Sequence, residues 1–209
     1  MNQVINEFLS AILQIVAFSI IPSIFFLFRK NKSESFSSYL GLNRPGKSSI
    51  VYSVLASLLF VSSALIVVFL DDGVKTMVLN PPSVTGKLRE MPLGLISISV
   101  LLIIALLKTS LSEEIFFRGF LAKRLVRVMG FKWGNILQAL IFGIIHLVLF
   151  RQLTKSTTFA LAFIFVFSTT AGWVIGFIKE KQGNGSIVPG WIAHGLGNTI
   201  SYFAIAYVL

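Results

Sequence analysis

The sequence predicts an all-α fold, a polytopic transmembrane helix bundle of about six membrane spans. Two features of composition and one of patterning predict it. Of 209 residues, 55% are apolar and only 12% are charged, roughly half the charged share of a soluble domain. Phe alone occurs 20 times, which suits helix surfaces that face lipid. The apolar residues also gather into runs near the ~20 residues needed to cross a ~30 Å hydrocarbon core.

Six segments meet that requirement in chain order: 4–28, 50–70, 92–112, 134–150, 157–178 and 186–208. The first lacks a basic leading region, carries Glu7 near its start and is too long for the apolar stretch of a secretory signal, so it is expected to remain as a span. Pro81, Pro82 and Gly86 predict an irregular outer loop over 71–92. Leu93–Arg127 reads as one long helix; its 35 residues at ~1.5 Å each run to ~50 Å, so it must tilt, kink or project from the membrane. The fourth segment is short, and both it and the sixth are interrupted by polar residues. Gly183, Asn184, Gly185 and Pro189 break the chain before the sixth segment. Neither a repeat nor a low-complexity linker divides the chain, so 1–209 is expected to form a single membrane domain.

Charge sets the expected orientation. Arg29, Lys30, Lys32, Arg44, Lys47, Lys123, Arg124, Arg127, Lys132, Lys179 and Lys181 fall on one side of this topology. Lys75, Lys87, Arg89, Arg151 and Lys155 fall on the other, offset by Asp71, Asp72 and Glu90. The positive-inside rule places the loops at 29–49, 123–133 and 179–185 in the cytoplasm and both termini outside. The net charge of +10 is then explained by cytoplasmic loops beside anionic lipid. Since no basic stripe with interleaved aromatics lies outside the spans, nucleic acid is not an expected partner. With no Cys in the chain, disulfides and thiolate chemistry are excluded.

Ionisable residues inside apolar spans cost several kcal/mol on the mildest scales and call for a reason. The run Ser112-Glu113-Glu114-Ile115-Phe116-Phe117-Arg118-Gly119 follows an almost unbroken apolar stretch. Glu114 and Arg118, four residues apart, can pair on a helix, while Glu113 projects about 100° away. Taken alone, the run could be an interfacial cluster whose charges reach the headgroups. The only two histidines, His146 and His194, also lie within spans. Phe142 and His146 share a helix face, as do His194 and Asn198, and Gly195 and Gly197 lower the bulk around the second pair. A lone membrane His is usually an interhelical hydrogen-bond partner; two of them together with an acid pair point to a shared polar site toward the cytoplasmic half. Lys108 is expected to reach the interface or to pair with an acid near the site. Trp133, Trp173 and Trp191 are expected to anchor at the interface or pack between helices, and Glu7 and Gln14 to face the bundle.

Glu113-Glu114-x-x-x-Arg118, Phe142-x-x-x-His146 and His194-x-x-x-Asn198 stand in order on three successive helical regions. Together they resemble the CAAX-processing and bacteriocin-processing (CPBP, or ABI) intramembrane protease family, which includes the type II CAAX prenyl endopeptidases. The resemblance covers roughly 92–205, the expected catalytic core, and leaves the first two spans without a motif. It implies an intramembrane glutamate-type endopeptidase. Glu113 would activate a water that His146 helps orient, and His194 and Asn198 would donate to the oxyanion. Glu114 and Arg118 would support the base, and Phe142 would pack beside His146. Such chemistry needs an activated nucleophile and donors placed where negative charge develops. The resemblance implies no cofactor. Its implied partners are membrane lipid and a peptide or protein substrate, with or without a prenyl group, and its implied setting is a cell membrane, with the short chain resembling prokaryotic members.

Three alternatives compete with this reading. His146, His194 and a Glu could form a His₂Glu zinc set, although HExxH is absent. A serine mechanism would leave the acid pair unexplained and lacks a GxS turn, and the GxGD of aspartyl intramembrane proteases is absent. The chain could instead be a non-catalytic bacteriocin-immunity factor or a proton-coupled transporter, since membrane Glu and His also serve proton relays.

Overall fold

In a computed structural model of the chain, residues 2–29 and 33–209 are described, and all their regular structure is helical. Lys30 and Lys32, counted above on the basic side, lie outside the described residues. Helix α1 spans Asn2–Leu27, α2 Phe36–Tyr39 and α3 Lys47–Leu70. The segment expected to be an irregular loop instead folds into α4 (Asp72–Leu79) and α5 (Val84–Arg89). The correction has a local cause. The Asp71 carboxylate accepts from Val74 N–H and the Ser83 hydroxyl from Gly86 N–H, so each short helix is capped at its N-terminus, while Pro81 and Pro82 only separate the two.

Helix α6 (Leu95–Leu102) continues without a break through two π-helical stretches, Ile103–Leu111 and Glu114–Ala122, into α7 (Lys123–Leu153). The long helix therefore exists, begins at Leu95 rather than Leu93 and is unwound through the motif region. Its break falls at Gly130, whose φ of 75° and ψ of 167° leave helical geometry, a conformation that glycine adopts without penalty. The polar segments 123–133 and 179–185 are thus largely helical rather than loops: α8 (Thr158–Phe177) also runs on as a π stretch over Ile178–Gln182. Asn184 and Gly185, at φ 53° and 72°, then turn the chain into α9 (Val188–Tyr207).

Among the described residues four helical stretches are long and apolar enough to cross a membrane: Asn2–Leu27, Lys47–Leu70, Leu95–Leu153 and Thr158–Gln182. The third contains the expected third and fourth segments, joined across Gly130. The expected sixth segment is helical as α9 but falls outside these four because Gly, His and Asn dilute its apolar content. The chain is a multi-pass helical membrane protein.

Helix α7 packs chiefly on α8, and α3 on α9. By contrast α1 buries only Glu7, Ala11 and Pro22, so most of its surface is left for lipid. At one end of the bundle the 33–46 segment meets the start of α7 and the turn before α9. Ile187 N–H donates to Gly41 O at 2.9 Å, the Ser186 hydroxyl to Asn43 O at 2.6 Å, and Lys123 to the carbonyls of Ser38 and Tyr39. Gly119 sits here too, because a Cβ at that position would lie 2.6 Å from Leu40 O. The other end gathers Glu7, paired with Lys87, Asp71 bonded to Thr157, and Tyr207 O–H donating to Leu88 O. The expected basic and mixed-charge segments thus separate to opposite ends.

Candidate active site

The first π stretch positions the acid pair. A π register shifts backbone bonding from the i−4 toward the i−5 carbonyl and is often found at functional sites. Neighbouring helices use carbonyls along this stretch: Trp191 Nε1 of α9 donates to Leu106 O at 2.7 Å, and Gln14 Nε2 of α1 to Lys108 O at 2.8 Å. Gln14 also reaches the Ser112 hydroxyl at 3.3 Å, one residue before Glu113. The helix carrying the acids is therefore held from two sides.

Glu113, Phe142, His146, His194 and Asn198 all line one cavity of about 240 Å³. It is otherwise mostly apolar and takes Phe60, Ala64 and Val67 from α3, Phe163 and Phe167 from α8, and Tyr202 from α9. One oxygen of Glu113, Oε2, is buried without a hydrogen-bond partner among the described residues, and His194 Nε2 lies 3.9 Å from it. His146 Nδ1 lies 2.8 Å from Phe142 O. A carbonyl only accepts, so the ring proton sits on Nδ1 and Nε2 is left with its lone pair. Asn198 Nδ2 donates to the Ser110 hydroxyl at 3.3 Å, which leaves its second N–H uncommitted.

Glu114 and Arg118 lie behind this wall, both fully buried. Arg118 Nη1 is 3.1 Å from Glu114 Oε1, and the same oxygen is 3.5 Å from His194 Nδ1. The Arg118 guanidinium also stacks over the Phe142 ring, 4.3 Å from its centroid, and the Phe142 ring lies 4.2 Å from that of His146. Phe142 thus joins the buried cation to the half-buried His146 ring. A Cβ on Gly190 would come 2.3 Å from Glu114 Oε2, so only glycine lets α9 close over that carboxylate.

Several contributors carry no motif signal. Phe60 stacks on His194, with centroids 4.9 Å apart and planes 22° apart. It comes from the second apolar segment, and nothing in a uniform apolar run marks one Phe over its neighbours. Gln14 and Trp191 were legible only as polar atoms in apolar helices. The low-bulk face of α9 turns out to serve helix packing: a Cβ on Gly195 would meet Leu106 and one on Gly197 would meet Phe60. Lys108 pairs with Glu7 of α1 at 3.3 Å, so its acid partner is neither Glu113 nor Glu114. A second cavity of about 320 Å³ lies on the other side of Glu113 and His146, between Ala17 and Phe18 of α1 and Ile145 and Leu149 of α7.

A zinc site would need at least three converging ligands. Among the described residues no group of three or more His, Asp or Glu side chains is placed to hold a metal ion.

A family model described as type II CAAX prenyl endopeptidase Rce1-like matches residues 95–200, half of the chain and every residue of the three motifs. Neither a curated protein nor a solved structure matches.

Proposed function

Since this chain belongs to the type II CAAX prenyl endopeptidase Rce1-like family, we propose that it is an intramembrane endopeptidase in which Glu113 activates water against a peptide bond. One observation carries the reading: Glu113 Oε2 is a buried, unpartnered carboxylate oxygen in a cavity that it shares with His146, His194 and Asn198. A base needs a water within hydrogen-bond reach, and His146, with Nδ1 tied to Phe142 O, offers Nε2 as a second acceptor for that water. Proton transfer to Glu113 would free hydroxide-like oxygen to attack the carbonyl carbon, and Glu113 would pass the proton to the leaving amine. The uncommitted Asn198 N–H and the Nε2 edge of His194, when protonated, would meet the tetrahedral oxyanion. Glu114 Oε1, 3.5 Å from His194 Nδ1, would orient that ring by tightening this contact, and Arg118 would balance the charge of Glu114. No step requires a metal.

The substrate in this reading is a membrane-associated protein or peptide, with or without a prenyl group, admitted from the cytoplasmic half of the membrane. The decisive comparison is wild type against Glu113→Gln, which keeps side-chain shape and removes the base. Peptides released from membranes of cells expressing each form should differ, and turnover of a peptide so identified should fall by about 10²–10⁴-fold. Equal cleavage by the variant would sink the reading and favour a non-catalytic immunity or transport role. Loss of activity in chelator with recovery in zinc would overturn the metal-free mechanism alone.

A further inference from the structure

A second concavity stands apart from the candidate active site. It lies at the end of the bundle where the basic segments gather and measures about 750 Å³. One wall is the last turn of α1 and its extension, Ile24, Phe25 and Phe28, which are 47%, 57% and 84% exposed. This wall continues the apolar face that α1 turns to lipid. The facing wall is cationic, formed by Lys123, Arg124 and Arg127 from the start of α7 with Arg29 beside them, and Glu34 is its one acid.

Three of these cations are already engaged. Lys123 pairs with Glu34 at 3.1 Å, and Arg29 Nη2 donates to Glu34 O at 2.6 Å. Arg124 donates to the carbonyls of Gly119 and Phe120 and lies over the rings of Tyr39 and Phe120, 4.1 and 4.2 Å from their centroids. Arg127 is exposed and has no hydrogen-bond or ion-pair partner among the described residues. It lies three residues from Arg124, so the two like charges share a helix face. The cavity thus has an uncompensated cationic wall and an apolar wall open to the acyl region.

We propose that this cavity binds the headgroup of an anionic phospholipid, with Arg127 meeting the phosphate and Ile24, Phe25 and Phe28 lying along an acyl chain. Basic pockets between membrane helices take phosphate headgroups, and a guanidinium can hold a phosphate through two parallel N–H bonds. The apolar wall selects a lipid over a soluble anion, because free phosphate gains nothing from three exposed hydrophobic side chains.

The test uses the full chain in a neutral detergent, with native mass spectrometry counting bound dioleoyl-phosphatidylglycerol against dioleoyl-phosphatidylcholine. Arg127→Gln is compared with Lys132→Gln, which removes an equal charge from an exposed site outside the cavity. Phosphatidylglycerol should be retained in preference to phosphatidylcholine. Its affinity should fall about five-fold or more in Arg127→Gln, the share of one cation near an anionic headgroup, and stay at the wild-type value in Lys132→Gln. Equal retention of the two lipids, or equal loss in the two variants, would overturn the proposal in favour of diffuse surface charge. Full displacement by millimolar inorganic phosphate, or by an acidic peptide, would overturn it in favour of a soluble anion.

Discussion

At the scale of single residues, the site separates groups that face the cavity from groups that brace them. Asn198 lines the cavity and keeps one amide N–H free beside its bond to Ser110. Asn198→Ala is therefore expected to lower kcat by about 10²–10³-fold, the range for one lost oxyanion donor, with KM little changed in steady-state assays. Arg118 acts otherwise. It is fully buried against Glu114, and removing one member of such a pair strands the other charge at a cost of about 3–5 kcal/mol. Arg118→Met should thus lower the unfolding temperature in detergent as well as activity, whereas Glu113→Gln should leave it near the wild-type value. If Arg118→Met proved as stable as wild type, the buried pair would not be ionic as described.

At the scale of elements, the π stretch before Glu113 is held by partners that reach it from α9 and α1. Trp191→Phe removes the bond to Leu106 O and keeps the ring, so it should cost about 1 kcal/mol of stability. Gln14→Leu removes both the Lys108 O and Ser112 contacts and should lower kcat more than it raises KM, because it displaces the helix next to Glu113. Unchanged kcat in both variants would mean that the stretch keeps its register unaided. The tie between α4 and α8 is pH-dependent. Burial raises the Asp71 carboxyl, but hydrogen bonds from the N–H groups of Thr157 and Val74 and from the Thr157 hydroxyl outweigh it and hold the carboxyl below its ordinary range. A carboxyl depressed in the folded state contributes stability that is complete above its unfolded pKa of ~3.9 and lost as pH falls through the folded value. Asp71→Ala should cost about 1 kcal/mol near neutrality, as for a lost N-cap, and its stability should converge on that of wild type in acid melts.

At the scale of the whole molecule, the basic and mixed-charge ends define an orientation that can be measured directly. The chain has no Cys, so single cysteines report without background. Lys75→Cys and Lys132→Cys lie at exposed positions at opposite ends of the topology. In intact cells a membrane-impermeant maleimide should label the first and spare the second, as the positive-inside rule requires; the reverse pattern would turn the site to the outer half. The bundle also explains the two helices without motifs. Helix α3 supplies the Phe60 ring against His194, and α1 supplies Gln14, so the region carrying the motifs does not build the candidate site alone.

Composition, apolar run length and the spacing of Glu113, Glu114, Arg118, Phe142, His146, His194 and Asn198 were enough to establish the helical membrane class and a candidate set of site residues. Each of these signals is local, or comes from charges whose presence in an apolar helix is itself informative. Short range also explains the misreading of 71–92, where two prolines outweighed the caps at Asp71 and Ser83. The tertiary structure alone decided that Gln14, Phe60, Gly190 and Trp191 belong around the site, because an apolar ring, a glycine or an indole acquires a role only from what is packed against it. It also decided that Lys108 pairs with Glu7 rather than with Glu113 or Glu114, and that the low-bulk face of α9 is filled by Leu106 and Phe60. The Lys108–Glu7 pair joins residues 101 positions apart in the chain, and no sequence periodicity spans that distance.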